Sequence, residues 1–207
     1  FGDREQLVWW ERPRRGDADL IRGGRGDDLV RGDAREFASE YWASEQMIGG
    51  NDTIDGGPGN DRLIGDADRM RFASGGDDTL LGGTGDDLLV GDTLEFDKES
   101  RGGDDRLFGG KGDDRLYGGD IAGTDRSWSR GGFEFGDGGN DRLDAGPGND
   151  LLVGDGDDVL IGGRGADTFA FGLWLGEDSS GPPITSGADV IRDFEAGRDR
   201  LDLTGWQ

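Results

Sequence analysis

Twelve aspartates of this chain fall into six pairs, each pair spaced by nine residues: Asp19/Asp28, Asp52/Asp61, Asp78/Asp87, Asp105/Asp114, Asp141/Asp150 and Asp158/Asp167. Two positions after each stands an apolar residue, in order Ile21, Val30, Ile54, Leu63, Leu80, Leu89, Leu107, Leu116, Leu143, Leu152, Leu160 and Phe169. Carboxylate and core residue therefore keep one phase. A fixed short period of this kind belongs to stacked, quasi-one-dimensional folds, in which each repeat buries its apolar face only against its neighbours. Because the repeating residue is an anion in a glycine-rich turn, the period also points to a hard cation as ligand.

Composition supports a thin, regular core. With 44 glycines and 31% hydrophobic residues, the 207 residues cannot fill a large globular interior. A net charge of -23 repels nucleic acid and anionic membrane surfaces. No apolar run approaches the roughly 18 residues of a membrane span, so membrane insertion is not expected. The same acidity and low hydrophobicity are the signature of disorder, but here the apolar residues are phased rather than scattered. The two readings merge if a cation neutralises the carboxylates and permits folding. Absence of histidine and cysteine disfavours zinc and removes histidine-dependent catalytic triads. A two-carboxylate glycosidase needs no histidine, yet among 46 acidic residues no pair stands out, and no enzyme activity is expected.

Between paired aspartates the turns read GGRGDD from Gly23, GGPGND from Gly56, GGTGDD from Gly82, GGKGDD from Gly109, AGPGND from Ala145 and GGRGAD from Gly162. A strand of three residues follows each, with its middle side chain on one face and its neighbours on the other. Nonapeptides of the form Gly-Gly-x-Gly-x-Asp-x-(apolar)-x resemble the RTX family, the hemolysin-type calcium-binding repeats. The resemblance covers residues 16–171 and implies a right-handed parallel β-roll, an all-β solenoid. Successive strands would lie on opposite sheets and turns would alternate between two edges. It further implies calcium between stacked turns, held by the twelve aspartates with backbone carbonyls of Gly24, Gly26, Gly57, Gly59, Gly83, Gly85, Gly110, Gly112, Gly146, Gly148, Gly163 and Gly165. Two nonapeptides per coil give about six coils, a rod of roughly 30 Å at strand spacings of roughly 4.8 Å. Several ions, on the order of ten, would come close to cancelling the chain charge.

The gaps between pairs are irregular, at 24, 17, 18, 27 and 8 residues, and each is an every-second turn. On alternating edges, the six intact turns should line one edge and all irregular connections the other. The intact file, Asp28, Asp61, Asp87, Asp114, Asp150 and Asp167, is expected to be the dependable one. The file Asp19, Asp52, Asp78, Asp105, Asp141 and Asp158 borders the insertions, near residues 32–48, 66–74, 92–101 and 119–137, which complete or disrupt its sites. Gly-Asp elements precede the connections at Asp33, Asp66, Asp92, Asp120 and Asp155. These are either additional calcium ligands or solvated turn aspartates. Insertion aromatics (Phe37, Tyr41, Trp42, Phe72, Phe96, Trp128, Phe133, Phe135) and Met70 either fold back over the thin core or form a binding ridge.

A solenoid must cover its ends. Residues 1–15, with Leu7-Val8-Trp9-Trp10, read as an N-terminal lid, and residues 172–207 as a C-terminal cap with a loop at Gly181-Pro182-Pro183. Stacked like charges at 4.8 Å repel by ~0.9 kcal/mol per neighbour in water and by several times that at an effective constant near 20. The functional expectation is a calcium-dependent structural module of an exported protein, extracellular or on the cell surface. The resemblance implies type I export of an unfolded chain. The alternatives are a module binding polysaccharide or cell envelope through its insertion edge, and a subunit self-assembling into a surface layer or filament.

Overall fold

The computed structural model describes residues 16–33, 36–38, 47–71, 73–94, 100–119, 139–154, 156–171, 173–174, 184–185 and 188–203. The N-terminal lid, Asp120, Asp155, the side chain of Phe37, all the other insertion aromatics and the Gly181–Pro183 loop lie outside the described residues.

Two parallel sheets carry the chain. The first stacks Leu20–Arg22, Thr53–Pro58, Thr79–Thr84, Arg106–Lys111, Arg142–Pro147, Val159–Arg164 and Val190–Ile191. The second stacks Leu29–Arg31, Arg62–Ile64, Leu88–Val90, Arg115–Tyr117, Leu151–Gly154, Thr168–Phe171 and Arg200–Asp202. Successive strands alternate between the two sheets, so each pair of nonapeptides makes one coil of a parallel β-roll. No described residue is helical.

Register follows the apolar period. Ile21, Ile54, Leu80, Leu107, Leu143, Leu160 and Ile191 lie one above another in the first sheet. In the second the column is Val30, Leu63, Leu89, Leu116, Leu152, Phe169 and Leu201. From Ile54 to Phe169 these residues are fully buried and form one continuous core. A buried leucine contributes about 1.5–3 kcal/mol, so a column one residue wide is a thin reserve against the charge gathered at both edges.

Seven strands stand in each sheet where the paired aspartates predict about six coils. The seventh coil comes from within residues 172–207, the segment read as a C-terminal cap. Asp189 and Asp199 stand in phase, but ten residues apart, with Ile191 and Leu201 two positions on. The wider turn between them also terminates the stack. In the first coil Gly23 and Gly24 donate to carbonyls of the next turn, at 2.8 and 2.9 Å. The corresponding amides of Gly162 and Gly163 donate instead to the Asp193 carboxylate, at 3.0 and 2.7 Å. Phe194 meanwhile packs against Phe169 with ring centroids 6.1 Å apart.

The insertions stack as well. Glu36–Ala38 pairs in parallel with Arg69–Arg71, and Met47–Ile48 with Ala73–Ser74. Met47, Ala67, Met70 and Ala73 form a second buried cluster. Ile64 and Val90, which strand alternation turns away from the core, are fully buried too. Arg31 ties the roll to this layer through a two-armed pair with Asp68, at 2.5 and 2.9 Å. Of the insertion residues for which covering and ridge were both open, Met70 is fully buried, in this second cluster.

Candidate metal centres

The period places each of the twelve aspartates at the end of a turn, where its backbone enters a strand. On the intact edge the Asp28 amide donates to Asp61 Oδ1, and the pattern continues through Asp87, Asp114, Asp150 and Asp167, at 2.8 to 3.0 Å. The other edge repeats it from Asp19 through Asp52, Asp78, Asp105 and Asp141 to Asp158, at 2.6 to 2.8 Å. Both files continue into the seventh coil, Asp167 donating to Asp199 Oδ1 at 3.2 Å and Asp158 to Asp189 Oδ1 at 3.0 Å. The insertions do not interrupt the second file. The rung re-forms at the aspartate that follows each insertion, although the insertions differ in length.

From Asp52 and Asp61 onward, one oxygen of each file carboxylate is thus engaged along the stack. The other decides the chemistry. Asp28, Asp61, Asp78, Asp87, Asp114 and Asp150 each hold Oδ2 buried with no hydrogen bond. Burying an anionic oxygen without a partner is costly, and native structures leave few such atoms unexplained. On the intact edge four of them, from Asp28, Asp61, Asp87 and Asp114, stand with a backbone carbonyl beside the first glycine of their turn. Asp28 Oδ2 and Gly56 O lie 2.7 and 2.8 Å from where a Cβ on Gly23 would stand. Around Gly56 the pair is Asp61 Oδ2 and Gly82 O, around Gly82 it is Asp87 Oδ2 and Gly109 O, and around Gly109 it is Asp114 Oδ2 and Ala145 O, all at 2.5 to 2.9 Å.

Among the described residues no three acidic side chains gather on one point. Each candidate site must therefore combine carboxylate with carbonyl oxygen, an all-oxygen set that suits a hard, flexibly coordinated cation such as calcium. The residues present fit that ion.

The protonation energetics agree. Burial pushes the Asp150 carboxyl up to about 7 and Asp87 to about 6, with charge from file neighbours adding to it, while hydrogen bonds from neighbouring backbone amides pull the other way. Asp189 in the seventh coil is likewise raised to about 6 by burial. Asp61, Asp114 and Asp167 are raised in the same sense, burial first, and Asp78 well above the carboxylate range. Folding alone thus favours protonated carboxyls here.

Of the sequence-predicted residues, the described structure brings all twelve paired aspartates into the two files. The predicted carbonyl donors stack as columns: the oxygens of Gly24, Gly57, Gly83, Gly110 and Gly146 each face the matching glycine of the next coil, as do those of Gly26, Gly59, Gly85, Gly112 and Gly148 up to Gly163 and Gly165. Beside Oδ2 of Asp28, Asp61, Asp87 and Asp114 stand also the carbonyls of the first turn residue one coil on, Gly56, Gly82, Gly109 and Ala145, which sequence reasoning did not choose. Asp189 and Asp199 were missed because their spacing is ten. The apolar residues two positions after them were the signal that could have found them.

Asp33, Asp66 and Asp92 are buried, with exposures of 6%, 0% and 0%, so they are not solvated turn aspartates. At the fourth coil the stacked position is Gly119, to which the Asp92 amide donates at 3.3 Å.

A parallel β-roll edged by two files of buried aspartate is the architecture of a cation-binding repeat module. The chain matches the family described as RTX calcium-binding nonapeptide repeat (four copies) over residues 15–34, 49–69, 72–93, 100–120 and 135–169, more than half its length, and belongs to that family. No curated protein matches it. The chain is a calcium-binding structural module.

Proposed function

We propose that this module is part of an exported or cell-surface protein, and that its aspartate files hold the chain unfolded until calcium concentrations outside the cell are reached. The observation that carries the reading is the row of buried Oδ2 atoms facing carbonyl oxygens across successive coils. Without a cation, file neighbours repel one another across a low-dielectric edge, and Asp28, Asp61, Asp78, Asp87, Asp114 and Asp150 each carry an unmet hydrogen-bonding oxygen. Calcium supplies the positive charge and takes up both oxygen types. The paired aspartates, Asp19 through Asp167, with Asp189 and Asp199, provide the carboxylates, and the turn carbonyls provide the remainder of each shell. Because several coils must come together to build the sites, binding and folding are one process. The role is that of a scaffold rather than a catalyst.

Calcium titration followed by far-UV circular dichroism tests this. The β-signal should rise cooperatively with a midpoint near 10⁻⁴–10⁻³ M, the range of extracellular calcium modules. A chain already folded in excess chelator would sink the folding switch. Folding at submicromolar calcium would leave a calcium-bound scaffold but remove the argument for a compartment switch.

A further inference from the structure

Asp33, Asp66 and Asp92 form a third file, inside the insertion edge. The Asp33 amide donates to the Asp66 carbonyl and the Asp66 amide to the Asp92 carbonyl, both at 3.0 Å, so the three stand on consecutive coils. Each carboxylate also grips the returning end of its own insertion. Gly50 donates to Asp33 Oδ2 at 2.9 Å, Gly76 is shared by Asp66 Oδ1 and Oδ2 at 3.2 and 3.3 Å, and Gly103 donates to Asp92 Oδ1 at 2.8 Å. The closed segments differ in length, yet the clasp is the same.

These hydrogen bonds leave charge and one oxygen unaccounted for. Asp92 Oδ2 is buried and accepts nothing. Gly75 marks the point where two coils meet: a Cβ there would collide with Asp92 Oδ1 and would stand 2.7 Å from Asp66 Oδ2. Two fully buried carboxylates of consecutive coils thus aim at one place beside a residue without a side chain. Burial, then the charges of Asp105 and Asp33, push the Asp66 carboxyl well above its ordinary range. Asp92 is pushed up by burial and by Asp105, Asp66 and Asp141. Each of these named neighbours is a carboxylate.

We propose that Asp66 and Asp92 form a further calcium site, separate from the paired-aspartate files, whose occupation holds Gly76 and Gly103, the returning ends of the insertions, against the roll. The inference rests on the reading of the chain as a calcium-loaded module. Its ligands are the Gly-Asp elements that open the insertions, and its consequence is local. Calcium at the turn files orders the strands, whereas calcium at this site fixes the loops beside them.

The test is the full chain carrying Asp66→Asn and Asp92→Asn together, since asparagine keeps an acceptor for the glycine amides and removes the charge. In saturating calcium, native mass spectrometry should count at least one ion fewer per chain than in the parent. The calcium-induced β-signal should persist, while limited proteolysis should gain cleavage within residues 67–75 or 93–102. An unchanged ion count and cleavage pattern would overturn the proposal and leave the two carboxyls as protonated hydrogen-bond acceptors. If the double variant does not fold, anomalous diffraction from calcium-loaded crystals of the parent decides: a calcium peak between Asp66 and Asp92 supports the site, and peaks confined to the turn files refute it. A parent chain that binds no calcium at all would instead defeat the underlying reading.

Discussion

At the scale of single residues, the turn glycines meet two separate demands, and the first coil separates them. Gly24 has φ +113° and nothing within 4 Å of where its Cβ would stand. Gly57, its counterpart one coil on, has φ +101° and would drive a Cβ into the carbonyl oxygen of Gly24. Alanine at either position adopts a backbone conformation that costs about 1–3 kcal/mol. Only at Gly57 does it also strike a backbone atom that cannot rotate aside. Gly57→Ala should therefore cost at least about 1 kcal/mol more than Gly24→Ala, in the range of overpacking penalties. Thermal unfolding of both variants in saturating calcium checks this, and equal losses would mean that torsion, not the stacking of carbonyls, dictates glycine in these turns. The exposed residue before each file aspartate adds a smaller device. Asp27, Asn60, Asp86, Asp113 and Asn149 form an outer ladder by amide-to-Oδ1 bonds of 2.8 to 3.1 Å, with neutral asparagine interspersed among the charges.

At the scale of elements, the seventh coil ends the stack by substituting one carboxylate for two carbonyls. Asp193 accepts from both Gly162 and Gly163, bonds that an eighth turn would otherwise receive. Asp193→Ala should leave those amides without their partner and lower stability by about 1–3 kcal/mol, read as a depressed melting temperature in calcium. The calcium count should stay at the parent value, because Asp193 belongs to neither file. A lowered ion count would show instead that the final coil needs this residue to build a site. The same coil shows why part of the fold was legible and part was not. Strand register and sheet alternation follow from a nine-residue phase of Asp and Leu that any stacked arrangement must honour. Asp189 and Asp199 obey the same geometry with one extra residue in the turn, and a strict period overlooks them. The burial of Asp66 and Asp92 was out of reach for a different reason: a Gly-Asp pair beside an insertion reads as a surface turn until the returning glycine of that insertion is placed over it.

For the molecule as a whole, a net charge of -23 with two files of aspartate along the roll makes stability depend on pH in opposite senses with and without calcium. In calcium-free buffer the relevant carboxyls are raised in the fold, Asp87 and Asp189 to about 6 and Asp150 to about 7, from an ordinary value of 3.8. Between pH 4 and 7 the folded state therefore binds more protons than the unfolded one. Linkage then requires stability to fall as pH rises through that window and to be greatest at its acid end. Calcium reverses the slope, because a carboxyl must lose its proton to become a ligand. In calcium, acidification from pH 7.5 to 5 should weaken binding and lower the thermal midpoint. In calcium-free buffer the same change should raise the far-UV β-signal. Circular dichroism at both pH values, with and without calcium, gives the four measurements needed. If acid destabilises the chain in both buffers, the file carboxylates are stabilised as anions by the fold itself, and cation-driven neutralisation is not what permits this chain to fold.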